Sequence, residues 1–141
     1  MRFMMMVKAN SNSEAGVMPD EKLIAAMTRY NEELSKAGVL LDLAGLQPSS
    51  KGARIVFSPG GKRTAVDGPF AETTGLVAGY WLIQVKSKEE AIAWMRRAPF
   101  GEGVTLEIRQ VFEPADFAPS DPTGEHRAKE AELRKQAARQ G

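Results

Sequence analysis

The stretch "AVDGPFAETTGLVAGYWLIQV", residues 65–85, decides how the chain is read. A short apolar run reaches Asp67-Gly68-Pro69-Phe70 and stops. Gly68 precedes a proline, which keeps it out of the helical region, so the DGP step is a sharp bend. After the bend, "LVAGYWLIQV" (76–85) is rich in β-branched and aromatic residues and apolar at neighbouring positions. That pattern predicts a strand covered on both faces.

Reading backwards from the bend, "ARIVFS" (53–58), "PGGK" (59–62) and "RTAV" (63–66) form strand, turn and strand, a hairpin that ends at the DGPF step. "SPGGK" lacks the spacing and the following helix of a phosphate loop, so it is read as turn chemistry. "VLLDLAGL" (39–46) is an earlier strand. "MPDEKLIAAMTRYNEELSKAG" (18–38) carries Leu23, Met27, Tyr30 and Leu34 at helical spacing. Pro19 is expected at the first helical position and Gly38 at the stop. "RFMMMV" (2–7) is an apolar opening strand, and "KANSNSEAG" (8–16) is a polar loop. The three methionines admit two readings, gap-filling core or a flexible ligand surface.

Reading forwards, "SKEEAIAWMRRA" (87–98) opens with Ser87 and Glu90 in capping-box spacing, with Ala91, Trp94, Met95 and Ala98 facing inward. "VTLEIRQVF" (104–112) alternates cleanly, Leu106 and Ile108 to one side, Thr105, Glu107 and Arg109 to the other. The order predicts an α+β fold, a ferredoxin-like split βαβ with a hairpin inserted between its halves. Two helices cover one face of such a sheet. Both faces of the central strands are apolar, so a second copy is expected on the other, and the chain is read as a homodimer.

The domain is expected over 1–113. Residues 114–141 are a Pro-containing linker and a charged helix, with Glu125–Lys129 and Glu130–Arg134 as i,i+4 pairs. The 141 residues suit one domain, and 43% hydrophobic content supports a core. With 19 basic and 18 acidic residues, a net charge of +1 offers no attraction to nucleic acid or an anionic membrane. There is no cysteine, which excludes disulfides, thiolate metal sites and a Cys nucleophile. A cytoplasmic protein is expected, since the run from Phe3 to Val7 is too short for a secretory or membrane segment.

The segments "AGVLLDLAGLQP", "VDGPFAETTGLVAGYWLI" and "LEIRQV", in that order, resemble the YCII-related, DGPF-motif family, from Met1 to about Phe112. The resemblance implies a dimeric α+β barrel of ferredoxin-like units. It also implies genes that often lie beside sigma-factor-type regulators. The family pattern usually reads "DGPFAETKE"; here Thr74 and Gly75 replace Lys-Glu, so a ligand contact of that lysine is missing. Smaller relatives pair a His with an Asp. The single histidine here, His126, lies in the tail, and the dyad does not carry over.

Asp67 is the candidate catalytic residue, a general acid or base shielded by Phe70, Tyr80 and Trp81, with burial raising its pKa. The other reading of Asp67 is a turn residue accepting backbone N–H bonds. Glu72, Tyr80, Glu107 and Arg109 are candidate substrate-binding residues. Each has a structural alternative: a turn cap for Glu72, core for Tyr80, an ion pair for Glu107 and Arg109. No metal site and no cofactor are expected, haem included, since the core offers no obvious axial ligand. Two functions stay open: a small enzyme with Asp67 in a cleft at the dimer interface, or a non-catalytic small-molecule-binding or regulatory dimerisation module.

Overall fold

The computed structural model describes residues 1–140. Two compact units divide the chain, Met1–Gln110 and a second that begins at Val111. In the first, strand β1 (Arg2–Lys8) leads to a single-turn helix α1 (Ser11–Glu14), then to α2 (Glu21–Lys36) and β2 (Leu40–Gly45). The hairpin β3 (Ala53–Phe57) and β4 (Arg63–Asp67) precedes β5 (Val77–Gln84), α3 (Lys88–Arg96) and β6 (Leu106–Gln110). The main sheet runs β2-β5-β1-β6, antiparallel throughout, and β3-β4 forms a separate two-stranded sheet. That is the ferredoxin-like order, with the hairpin inserted between its halves as the sequence predicts.

Period-2 alternation sorts the sheet's side chains. Phe3, Met5, Trp81, Ile83 and Val85 are buried, together with Tyr30 and Leu34 of α2 and Ala91 of α3. Trp81 anchors this core. Tyr30 meets it edge-on at 5.5 Å and Phe100 at 6.2 Å. Its indole N–H donates to Asn31 Oδ1 at 2.7 Å, so the buried polar atom is satisfied. Burial pushes the Tyr30 phenol up to about 12, and that phenol donates to the Trp94 carbonyl. The methionine run divides: Met5 is fully buried, while Met4 and Met6 point to the opposite face and stay half-buried.

Local signals hold with small shifts. Asp20, not Pro19, is the N-cap of α2, its carboxylate accepting from the Leu23 N–H; Pro19 lies one residue outside. Gly38 follows the helix with φ +73°, the left-handed geometry that ends it. Ser87 caps α3 through the Glu90 N–H, but the Glu90 carboxylate reaches back to the Lys86 N–H rather than to Ser87. The loop at 8–16 contains helix α1, because Asn10 and Ser13 cap it reciprocally.

The second unit holds a 3-10 segment, Pro114–Ser120, whose Phe117 ring lies 5.0 Å from that of Phe112 just before it. The buried Asp121 accepts from the N–H groups of His126 and Arg127 and from Arg127 Nε, fixing the first turn of α4 (Glu125–Gln140). No residue of α4 is buried, and the Glu130–Arg134 pair forms along it. Among the described residues, no helix is long and apolar enough to cross a membrane.

Candidate functional site

Two places hold the chemistry. The first is the base of the hairpin. The Gly68 N–H donates to the Gly52 carbonyl at 3.0 Å, closing the hairpin where β4 ends. The Gly68–Pro69 peptide is cis. The Phe70 N–H donates to Ser49 Oγ at 3.0 Å. Ser49 is itself gripped by Glu14, whose carboxylate takes the Ser49 N–H at 2.9 Å and the Ser49 hydroxyl. The hydroxyl bond, then the backbone bond, hold the Glu14 carboxyl below the usual glutamate range. Arg54 of β3 stacks over the Phe70 ring at 3.8 Å and pairs with Glu72 at 3.2 Å. The DGPF turn is therefore tied from two sides, by Ser49 and by Arg54.

Asp67 stands at the end of β4, opposite Ala53. It is exposed, and its carboxylate makes no hydrogen bond or ion pair among the described residues. The aromatic shield expected around it is not assembled within one chain. Trp81 is in the core, and Tyr80 points to the open face of the main sheet. The turn is held by backbone and by Ser49, so Asp67 is not what fastens it.

The second place is that open face. Directly paired residues of neighbouring strands share a side, which gives two rows across the sheet. One reads Asp42, Leu82, Met4, Arg109, and the next Ala44, Tyr80, Met6, Glu107. A bulge creates the first row. Leu40 pairs with Ile83 on the helix side, and simple alternation would send Asp42 the same way. The register shift between Leu40 and Asp42 turns the carboxylate outward instead. There it accepts the Tyr80 hydroxyl at 3.2 Å. The Asp42 charge, then that hydrogen bond, raise the Tyr80 pKa. At the other edge Glu107 lies 3.8 Å from both Lys8 and Arg109. Both contacts are long, and Glu107 is solvent-accessible, so they fix little.

The structure thus brings Tyr80, Glu107 and Arg109 onto one face and places Asp67 and Glu72 at the hairpin base. Sequence reading missed Glu14, Ser49 and Asp42, and gave Arg54 only as a polar residue of a strand. Only Asp42 carried a signal, a lone acid inside the apolar run "VLLDLAGL". Among the described residues, no cluster of His, Cys, Asp and Glu is arranged to hold a metal ion.

The YCII-related domain matches residues 1–115 of this chain. The chain belongs to the YCII-related family. It is similar to an uncharacterised protein of Rhizobium meliloti (strain 1021), 32% identical over 77 residues, which are 55% of this chain. The match spans about three-fifths (61%) of the length of that YCII-type relative. Among solved structures it is similar to 5-chloro-2-hydroxyhydroquinone dehydrochlorinase from Burkholderia phenoliruptrix AC1100, in complex with 2,5-dihydroxybenzoquinone. The identity is 13% and the TM-score 0.41, over 80% of this chain and 96% of that one.

Proposed function

We propose that this YCII-related chain is a cytoplasmic, homodimeric small-molecule-binding module. In it, two copies close their open sheet faces over each other. One observation carries the reading: the row Asp42, Leu82, Met4, Arg109 has an acid at one end, a base at the other and two apolar residues between. A two-fold axis parallel to the strands lays β2 of one copy over β6 of the next. Leu82 then meets Met4 of the partner subunit, and Asp42 meets Arg109 of the partner subunit. The row is self-complementary in charge and in hydrophobicity. Sheets packed in this way enclose side chains from both inner faces. Tyr80, Glu107 and Arg109 then line the enclosed space and contact the ligand.

The family domain is taken as 1–113, with 114–141 as a linker and appended helix. Sedimentation equilibrium of the full chain tests the dimer. A concentration-dependent dimer that Met4→Asp abolishes is expected; a monomer at all accessible concentrations overturns the reading.

A second reading keeps Asp67 as an acid or base. It is favoured by the freedom of that carboxylate at a tightly held turn, with Glu72 beside it in sequence as a substrate contact. Asp67→Asn separates the roles. Stability within about 0.5 kcal/mol of wild type leaves the charge available for chemistry, whereas a loss above about 1 kcal/mol assigns it to the turn.

A further inference from the structure

A groove of about 320 Å3 opens beside the Glu14–Ser49 clamp, where β2 ends and β5 begins. It is at the small end of the range for ligand clefts, roughly 300–1,000 Å3. Its surface is mostly apolar, from Leu46, Leu76 and Val77. The polar groups around it fall into two sets. Glu14 and Ser49 are committed to each other, and the Ser49 hydroxyl also accepts from Phe70. The backbone N–H groups of Leu46, Lys51 and Gly52 are likewise committed, to Ala78, Pro48 and Ser49 carbonyls. Of the side chains, Lys51 and Gln47 are left. Neither side chain makes a hydrogen bond or ion pair among the described residues.

Both uncommitted groups can donate, and one carries a positive charge. A ligand that fits must therefore bring an acceptor, preferably an anion, and an apolar body. A dianion such as phosphate is disfavoured, because Lys51 is the one basic residue of the lining and the Glu14 carboxylate stands in the same wall. An amine finds no free acceptor among these side chains except the Gln47 carbonyl. We propose that this groove binds a small apolar carboxylic acid as its monoanion, with the hydrocarbon on Leu46, Leu76 and Val77 and the carboxylate on Lys51. None of its lining residues is Tyr80, Glu107 or Arg109, so the proposal does not rest on the ligand contacts proposed for the open face.

The test is a titration of the full chain with naphthoate, followed by amide shifts in NMR spectra. Naphthyl methanol serves as the neutral isostere and inorganic phosphate as the anion without a body. Saturable shifts are expected at Leu46, Lys51, Leu76 and Val77. Lys51→Ala and the neutral isostere should each weaken binding by about tenfold or more, the usual size for loss of a charge-assisted contact. Lys51→Arg should retain it. Absence of saturation overturns the proposal. So does a response centred on Tyr80 and Met6, equal binding of naphthyl methanol, or undiminished binding by Lys51→Ala.

Discussion

A Cβ atom placed on Gly68 would lie 1.8 Å from the carbonyl oxygen of Ser49 and 2.6 Å from its carbonyl carbon. Both atoms are backbone, so no rotamer change relieves the overlap. The hairpin base would have to separate from the segment after β2, breaking the Phe70–Ser49 hydrogen bond as it moved. Gly68→Ala is expected to lose more than about 2 kcal/mol, at the upper end of overpacking effects. Urea unfolding of the two proteins measures it. An unchanged midpoint would mean that Gly68 and Ser49 are not in contact.

Ser49 links three segments, and its removal should act through two bonds. In Ser49→Ala the Phe70 N–H loses its acceptor, with an expected loss of about 1–2 kcal/mol. The Glu14 carboxylate adds a pH dependence. Its pKa is lowered in the folded chain by the Ser49 bonds. A carboxyl depressed by folding contributes stability that is complete above the ordinary glutamate range and fades as pH falls through the lowered value. The unfolding midpoint of wild type should therefore drop on acidification more steeply than that of Glu14→Gln. Parallel curves would remove Glu14 from the acid response.

The fold was legible because the strands and the helices α2 and α3 carried their own signals, although the single turn α1 did not. Gly38 and Ser87 marked helix boundaries, alternation at Leu106–Ile108 marked the last strand, and the bend at Gly68 separated the hairpin from β5. The candidate site was less legible, for physical reasons. Ser49 and Glu14 meet across 35 residues through a hydroxyl and a carboxylate that look like ordinary loop composition. Arg54 reads as a polar residue in a strand until Phe70 is brought beneath it. Asp42 reaches the open face only through the bulge at Leu41, and pattern reading assumes unbroken alternation. Asp67 was singled out by its motif, yet the turn is held by Ser49 and backbone groups that the motif does not name.

Tyr80 offers a direct check on the open face. Its phenol donates to Asp42, and the Asp42 charge opposes its ionisation. The only other tyrosine, Tyr30, is pushed to about 12 by burial. A spectrophotometric titration should thus show both phenols ionising above the free-tyrosine range, with Tyr80→Phe showing which step belongs to Tyr80. Asp42→Asn should move the Tyr80 step down and leave the Tyr30 step in place. A Tyr80 step indifferent to Asp42 would mean that the bulge does not present the carboxylate on this face.

The proposed dimer makes a sharper demand, because its charges must match in pairs. Asp42 and Arg109 end the same row on opposite edges of one sheet, with Leu82 and Met4 between them, so they cannot neutralise each other within a protomer. Across the proposed two-fold axis they do. Arg109→Asp sets acid against acid at both ends of the interface and should weaken association by about tenfold or more. Asp42→Arg should do the same with bases. Combining the two substitutions in one chain restores opposite signs at each contact and should recover most of the loss, measured by sedimentation. Recovery requires that the two positions face each other between copies. Additive weakening in the double variant would show that the sheets meet in some other register, or through the exposed hairpin residues Ile55 and Phe57 instead.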